Sequence, residues 1–152
     1  MTTSNVSVLP ARRLYKLSRS SSSVARVVRQ ILRSEWSLLK KFPDPPPGGE
    51  RRRQARHRLR LPVYLQRVSL RGLTVAPIEE PVPLLALTEN ISESGLGLSH
   101  DFPLPDDLLM VLFDVGEVEP LALLLETCWT AVQAPFDHRS GGMILGVCRL
   151  KD

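Results

Sequence analysis

The feature that most constrains the fold is a series of short apolar segments between residues 58 and 150, separated by proline, glycine and aspartate. From Arg58 to Val68 apolar and polar residues alternate, which is the two-residue period of a half-buried strand. Further strand candidates are Leu70 to Val75, Leu84 to Thr88, Gly95 to Ser99, Leu108 to Phe113, Leu121 to Val132 and Met143 to Leu150. Because no helical pattern lies between these segments, they predict a small antiparallel all-β barrel or sandwich.

The segment from Leu121 to Val132 begins with a leucine-rich run, so helix and strand propensities compete there. Its second half, Thr127 to Val132, is rich in residues that favour strands, and we predict a strand. Cys128 lies in this segment, and Cys148 lies in the last strand candidate. We expect both cysteines to be buried thiols rather than a disulfide or a metal-binding pair.

The chain ahead of the strands divides into three parts. Residues 1–23 are rich in serine without a hydrophobic period, so we expect a disordered tail. Residues 24–42 carry apolar residues at helical spacing, with Ser23 as a cap and Pro43 as a stop, which predicts an amphipathic helix. Residues 43–49 form a Pro/Gly linker before a domain at 50–152. The apolar stripe of the helix must be covered by the domain, by a second copy in a homodimer, by another protein or by a membrane surface.

Positive and negative charges are separated along the chain, whose formal net charge is +4. Residues 1–60 hold 15 of the 20 lysines and arginines and three acidic residues, a net charge of +12. Residues 61–152 hold the other 5 against 13 acidic residues, a net charge of −8. A uniformly basic nucleic-acid-binding domain would not be divided in this way. We therefore expect an acidic globule whose basic front section meets an anionic partner.

Membrane insertion and secretion are not expected. The apolar runs are far shorter than the roughly 20 residues that span a bilayer, and the N-terminus lacks the pattern of a signal peptide. The sequence predicts a cytoplasmic protein without a transmembrane segment.

Sequence motifs for catalysis are missing. The chain has no phosphate-binding P-loop, no nucleophile elbow, no H-E-x-x-H and no cysteine and histidine at zinc-ligand spacing. We expect His57, His100 and His138 to be isolated residues with surface or hydrogen-bonding roles, and Asp106-Asp107 to be a solvated turn. The sequence therefore predicts a protein that is not an enzyme and binds no metal.

Two short motifs carry the positive signal. The first is an arginine cluster, ERRRQARHRLR, with six arginines between residues 51 and 60. The second is NISESG, Asn90 to Gly95, where Asn, Ser and Gly mark a turn between two strand candidates. Gly95 suits a positive backbone torsion or the close approach of a ligand.

In this order, and followed by short strands, the motifs resemble the PilZ domain, the bacterial receptor module for cyclic di-GMP. That family is recognised by R-x-x-x-R ahead of the first barrel strand and by [D/N]-x-S-x-x-G on the barrel, and this chain has RRQAR at 52–56 and NISESG at 90–95. LETCWTAV and GGMILGVCRL look like the last two strands of the family. The similarity covers about Glu50 to Leu150, and the longer stretch from Val68 to Pro83 suggests an added hairpin or loop.

The resemblance implies an all-β fold, a six-stranded antiparallel PilZ-type β-barrel preceded by the amphipathic helix. It also implies that cyclic di-GMP is the ligand and that no other cofactor is needed. The arginine segment would fold over one face of the barrel and clamp the dinucleotide.

Arginine suits this role because a guanidinium can contact phosphate with two prongs, pair with the O6 and N7 atoms of guanine, or stack on a purine. By analogy Arg52 and Arg56 would contact guanine edges and phosphate, and Arg51 and Arg53 would support them. Arg58 alternates with apolar residues, as does Arg60, so we expect both on a solvated strand face.

The matching residues on the barrel have polar or conformational roles by the same analogy. Asn90 and Ser92 would make polar contacts with guanine or with the backbone of the clamp. Gly95 would let the chain turn without a side chain that blocks the pocket.

The resemblance further implies a switch that regulates an unidentified protein partner. Repulsion among the arginines and the linker would keep the clamp mobile until an anionic ligand orders it. Ordering would then reposition the helix relative to the barrel. Two alternatives remain open: a PilZ-like adaptor that binds no ligand and acts only through protein contacts, and a basic protein that binds nucleic acid. Scarce aromatic residues disfavour the latter.

Overall fold

The computed structural model describes residues 13–39, 56–78, 84–104, 108–114 and 121–151, with helix side chains described up to Ser34. Within these residues the chain forms nine strands and one helix, which confirms the all-β expectation. The helix lacks the apolar length that a membrane crossing requires. The elements in chain order are β1 (Tyr15–Ser18), α1 (Ser21–Leu39), β2 (His57–Arg58), β3 (Pro62–Arg71), β4 (Thr74–Pro77), β5 (Leu84–Ile91), β6 (Gly95–His100), β7 (Leu108–Phe113), β8 (Leu121–Ala134) and β9 (Asp137–Leu150).

The strands form one antiparallel sheet in the order β1-β4-β3-β7-β8-β9-β6-β5-β2. Because β3 also pairs with β5, six strands (β3, β7, β8, β9, β6 and β5) form a closed circuit of pairings. Strands β4 and β1 lie outside that circuit and join β3 to β9, and β2 extends β5. The expected number of six strands is therefore corrected to nine, since β1, β2 and β4 add to the circuit.

The buried side chains form two clusters on opposite faces of β7 and β8. In β7, Leu109, Val111 and Phe113 belong to the larger cluster, which also includes side chains of β3, β5, β6 and the helix. The alternate residues Met110 and Leu112 belong to the smaller cluster, beneath β1 and β4. Strands buried on both faces have continuous apolar sequences, which explains the uninterrupted apolar runs in β7 and β8.

Helix α1 packs against the larger cluster with the stripe that the sequence indicates. Its buried side chains, Val24, Val27, Val28 and Ile31, are at most 4% exposed. The N-cap is Ser20 rather than the predicted Ser23, so the helix begins at Ser21. The Ser20 Oγ accepts a hydrogen bond from the Ser23 backbone N–H at 3.3 Å.

Of the proposed coverings for this stripe, the domain itself is the one found. As far as Ile31 the stripe is not free to mediate a homodimer or to lie on a membrane. The linker at 43–49 lies outside the described residues.

Strand β1 lies within the segment that the sequence indicates to be disordered. Tyr15 and Leu17 are buried, and the strand pairs with both β4 and β9. The strand was not predicted because it is only four residues long and contains only two apolar residues, beside a serine-rich run that is typical of disorder. The strand is stabilised by two neighbours that are distant in sequence. Residues 1–12 lie outside the described part of the chain.

The stretch after Val68 forms the added hairpin that the sequence suggests. Strand β3 continues to Arg71, and a tight turn leads directly into β4. Gly72 in this turn has a φ of 59°, a left-handed conformation that costs glycine little.

The leucine-rich segment that begins at Leu121, where helix and strand propensities compete, forms a strand, β8, as predicted. The expectation for the cysteines holds for one of the two. Cys148 is buried in the smaller cluster, and Cys128 is exposed because β8 extends beyond the part covered by the core. Both are free thiols.

Candidate functional site

The short strand β2 connects the two motifs. It pairs antiparallel with the end of β5, with His57 opposite Ile91 and Arg58 opposite Asn90. Arg56, which is exposed, directly precedes this strand. Continuing the register by one residue brings the Arg56 backbone beside Ser92. The chain that follows the arginine cluster therefore runs along the NISESG motif.

Thr88 anchors the chain between β2 and β3. Its fully buried hydroxyl donates a hydrogen bond to the Leu59 carbonyl and accepts one from the Leu61 N–H, both at 2.8 Å. A bulge between Thr88 and Asn90 interrupts the β5–β6 ladder at this point. The threonine side chain thus satisfies backbone groups that would otherwise be buried without partners.

The NISESG motif forms the turn between β5 and β6, and Ser92 holds its shape. The Ser92 Oγ accepts hydrogen bonds from the backbone N–H groups of Ser94 at 3.2 Å and Gly95 at 3.1 Å. The Ser92 N–H donates to the Gly95 carbonyl at 2.9 Å. Ser92 is also buried. Its hydroxyl therefore stabilises the turn. From the sequence, the role of shaping this turn was expected of Gly95.

Gly95 is favoured by close packing rather than by its torsion. Its φ is not in the positive range, in contrast to the expectation. A Cβ at this position would lie 3.1 Å from the Gly142 carbonyl oxygen of β9, closer than ordinary contact. The glycine therefore lets β9 approach the turn.

Asn90 begins a row of residues across the outer face of the sheet. It is paired with Gly97 of β6, Gly97 is paired with Gly141 of β9, and Gly141 is paired with Trp129 of β8. The Asn90 amide lies over Gly97, where a Cβ would be 3.2 Å from it, and the Trp129 indole lies over Gly141, where a Cβ would be 2.6 Å from the ring. The two glycines are buried beneath these side chains, so the surface here is formed by the Asn90 amide and the half-exposed Trp129 indole.

An ion-pair chain borders this row. The Glu89 carboxylate lies 3.6 Å from a guanidinium nitrogen of Arg60 and 3.8 Å from one of Arg139, and Arg139 also contacts Asp137 at 3.3 Å. Arg58 and Arg60 are both exposed, as expected, but the predicted strand from Arg58 to Val68 is interrupted, and Arg60 lies between β2 and β3 rather than on a strand face. Their surroundings differ, since only Arg60 is paired with Glu89. Arg139 is half-exposed and adds a guanidinium to the same face of the sheet.

The predicted site residues fall into three groups. Arg51, Arg52 and Arg53 lie outside the described residues. The β2–β5 pairing places Arg58 directly opposite Asn90, and Arg56 immediately precedes β2. The Asn90 amide makes no hydrogen bond to any other described residue. Ser92 and Gly95 shape the turn beside them.

Three contributors to this surface were missed by sequence reasoning. Thr88 and Arg139 carry no motif. Trp129 entered the sequence analysis only as part of a segment that looks like a strand of the family. Its position opposite Gly141 follows only once β8 is paired with β9.

The surface combines groups that recognise nucleotides. Guanidinium groups bind phosphate and guanine edges, an amide offers a donor and an acceptor, and an indole face stacks on a base. Within the described residues no three histidine, cysteine, aspartate or glutamate side chains are grouped as metal ligands would be.

His100 and His138 form a pair that the sequence expectation of isolated histidines did not foresee. Their rings stack with centroids 5.8 Å apart across the β6–β9 pairing. The His100 Nδ1–H donates to the Phe102 carbonyl at 2.5 Å, and Nε2 accepts from the buried Ser140 hydroxyl at 2.8 Å. Burial lowers the pKa of His100, and the hydrogen bond to the Phe102 carbonyl opposes this shift. A neutral ring with its proton on Nδ1 satisfies both hydrogen-bond partners. The hydrogen-bonding role predicted for this histidine is confirmed.

Comparisons of the chain with protein-family models, with curated proteins and with solved structures found no match. The resemblance of the two motifs to a known family therefore rests on their residues and spacing.

Proposed function

We propose that this protein is a receptor for cyclic di-GMP, built as a PilZ-type barrel, that changes conformation on binding and regulates a partner protein. One observation carries the proposal: the β2–β5 pairing joins the end of the arginine cluster to the NISESG turn, although the two are over 30 residues apart in sequence. The closed circuit of six strands within the nine-stranded sheet is compatible with a barrel of this type.

In the proposed complex the ligand lies on the outer face of the sheet, beside the turn. Arg56 contacts phosphate or a guanine edge, Asn90 contacts a guanine, and the Trp129 indole stacks on a base. Arg51, Arg52 and Arg53 close over the ligand. Two phosphates offer enough negative charge to offset the repulsion within the arginine cluster.

The helix is not the moving part of this switch. Displacing α1 would expose four buried aliphatic side chains at about 1.5–3 kcal/mol each, roughly 6–12 kcal/mol in all, which would consume most or all of the binding free energy of about 8 kcal/mol that a micromolar ligand supplies. Ligand binding instead orders the arginine segment, and the ordered clamp with the adjacent sheet face forms the surface that a partner recognises.

Isothermal titration with cyclic di-GMP tests the proposal in the full chain. Wild-type protein is expected to bind. Arg56→Ala is expected to bind roughly ten to a hundredfold more weakly, because a lost hydrogen bond that involves a charged group costs about 1.5–3 kcal/mol. Asn90→Ala removes a neutral contact worth about 0.5–1.5 kcal/mol and is expected to bind roughly two- to tenfold more weakly. Arg29→Ala and Gln133→Ala, which remove exposed side chains elsewhere, serve as matched controls. Ser92→Ala is a poor probe of contact, since it alters the turn.

Each unfavourable outcome has a distinct meaning. Retained affinity in both site variants would refute the assigned contacts. Absence of binding by the wild type would favour the ligand-free adaptor. Binding to generic DNA that falls steeply with salt, without preference for the dinucleotide, would favour a protein that binds nucleic acid.

A further inference from the structure

A second concave surface lies at the far end of β9 from the candidate site. It is a cleft of about 800 Å³ between β1, the β3–β4 turn and the end of β9. This volume is within the usual range for small-molecule sites. The residues that line it are Lys16, Leu17, Ser18, Arg19, Leu73, Arg149, Leu150 and Lys151.

Four of these lining residues are cationic and none is acidic. Lys16 and Arg149 lie directly opposite each other in the β1–β9 pairing, an arrangement that is destabilising for like charges. All four cations are exposed, and none of them makes a salt bridge with an acidic group of the described residues. Among the residues that the structure describes, this positive charge is therefore not paired with acidic groups.

The start of α1 increases this positive potential. Arg19 lies two residues before the helix, where the N-terminal backbone N–H groups carry partial positive charge. The first turn of the helix contains no acidic residue, although acidic residues are favoured there. The helix N-terminus is thus a further unfavourable neighbour for the cations.

We propose that this cleft is a second binding site that takes a soluble oligophosphate ligand. Lysine and arginine are the usual ligands of phosphate groups, and an anion seated among the four cations removes the repulsion between them. Leu73 and Leu150 provide apolar contact for the body of a ligand. The site does not depend on the proposed cyclic di-GMP function.

The two sites are independent in space. Arg139 and Arg149 are ten residues apart on the same strand, a contour length of at most roughly 34 Å at the rise of an antiparallel strand. No single ligand of dinucleotide size reaches both. Variants of one site are therefore expected to leave the other unchanged.

Titration with inorganic tripolyphosphate at low salt tests the proposal. The wild type is expected to bind, and a Lys16→Gln/Arg149→Gln double variant is expected to bind at least about tenfold more weakly, since two charge-assisted contacts are lost. An Arg26→Gln/Arg33→Gln double variant removes the same charge from the exposed side of α1 and is expected to change the affinity less than about threefold.

Three outcomes would overturn the proposal. They are no binding of tripolyphosphate by the wild type, an equal loss in the helix double variant, and binding only to vesicles of phosphatidylglycerol. The last of these would assign the cations to a lipid surface. A failure of cyclic di-GMP binding alone would leave the cleft unaffected, so the two proposals can fail separately.

Stability without any ligand supplies an independent readout. Because Lys16 faces Arg149, Lys16→Gln is expected to raise the urea midpoint at low salt, and the gain is expected to shrink as salt screens the repulsion. A midpoint that falls at low salt would show that the cleft cations stabilise the fold, and would contradict the premise of the binding site.

Discussion

Ser92 and Thr88 use their hydroxyl groups to hold backbone in place rather than to face solvent. Ser92 bonds within the turn, and Thr88 bonds to the chain that leads into β3. Both residues are buried, so removing either hydroxyl leaves backbone groups without a partner. Asn90 differs, because its amide makes no hydrogen bond to another described residue. At the residue scale, the two hydroxyl residues therefore position the chain around Asn90, which is the residue proposed to contact the ligand.

His100 couples folding stability to pH. Its pKa is lowered from the ordinary value of 6.5, first by burial and further by the nearby His138, while the Phe102 carbonyl and Asp101 oppose the shift. In the unfolded chain the same histidine takes up a proton more readily. The unfolded state therefore binds more protons between the two pKa values, and the free energy of unfolding falls as the pH decreases through that range.

We expect the urea midpoint to be constant above about pH 7.5 and to fall as the pH is lowered from 6.5 towards 5. His100→Gln is expected to lower the midpoint throughout, because the bonds to Ser140 and Phe102 are lost, and to flatten its dependence on pH in this range. His57→Gln, which changes an exposed histidine, is the control and keeps the slope. A His100→Gln protein with the full slope would show that another group is responsible.

At the scale of elements, β2 matters more than its two residues suggest. It connects the arginine cluster to the sheet, and it is held by its pairing with β5 and by the Thr88 hydroxyl just beyond it. The Leu59 N–H bond to the Glu89 carbonyl and the Arg60–Glu89 ion pair strengthen the same attachment. Leu59, which follows β2, is fully buried. The clamp proposed for cyclic di-GMP is therefore attached at one well-defined point.

Thr88→Val is expected to lower the free energy of unfolding by about 1–3 kcal/mol, since it leaves the Leu59 carbonyl and the Leu61 N–H buried without partners. The Leu61 amide is expected to exchange faster with solvent deuterium. Thr88→Ser keeps the hydroxyl and should lose less stability and little protection. Urea titration and hydrogen exchange measure both effects. Equal stability of the Val variant and the wild type would contradict the anchoring role.

Helix α1 belongs to the domain, although the sequence places a proline-rich linker after it. Its buried stripe completes the larger cluster, next to the partly buried Phe102 and Ile144. A helix packed in this way contributes hydrophobic stabilisation that an independent appendage would lack. The element that sequence alone treats as separate is thus part of the core.

At the scale of the whole molecule, the two clusters share strands. Strands β7 and β8 contribute alternate side chains to each cluster, so neither cluster can be lost while the other keeps its strands in place. The molecule is therefore expected to unfold as one cooperative unit.

Ile31 and Cys148 lie in different clusters and can test this cooperativity. Ile31→Ala is expected to destabilise the protein by about 2–5 kcal/mol. Burial raises the pKa of Cys148 to about 12, so the thiol reacts only on unfolding. In a Cys128→Ser background, Ile31→Ala should therefore accelerate the labelling of Cys148 by a thiol reagent, by the factor that corresponds to the lost free energy of unfolding. Arg29→Ala, on the exposed side of the same helix, should have little effect.

Unchanged protection of Cys148 in the Ile31→Ala variant, with α1 unfolded by circular dichroism, would mean that the two clusters unfold separately. The measurement therefore distinguishes one folding unit from two.

Much of the fold could be predicted from the sequence where the pattern is local. The strand from Leu108 to Phe113 has the predicted bounds, the stripe of α1 is buried as expected, and Leu59 to Leu65 alternate as indicated. Strand β1 could not be predicted, because two buried residues in four are too few to distinguish from a serine-rich tail. The motifs of the candidate site could be predicted, but the residues that hold them in place could not. Thr88, for example, hydrogen-bonds backbone groups that are 27 and 29 residues away in sequence.

The sequence by itself determined the all-β class, the amphipathic helix and the two motifs, because the alternation of a strand, the period of a helix and the chemistry of a turn are encoded within a few neighbouring residues. Only the tertiary structure decided which strands are neighbours, and with them the β2–β5 contact, the stacked histidines and the cations gathered at the end of β9. Hydrogen-bonded registers join residues that are tens of positions apart, and no local period specifies such a partner.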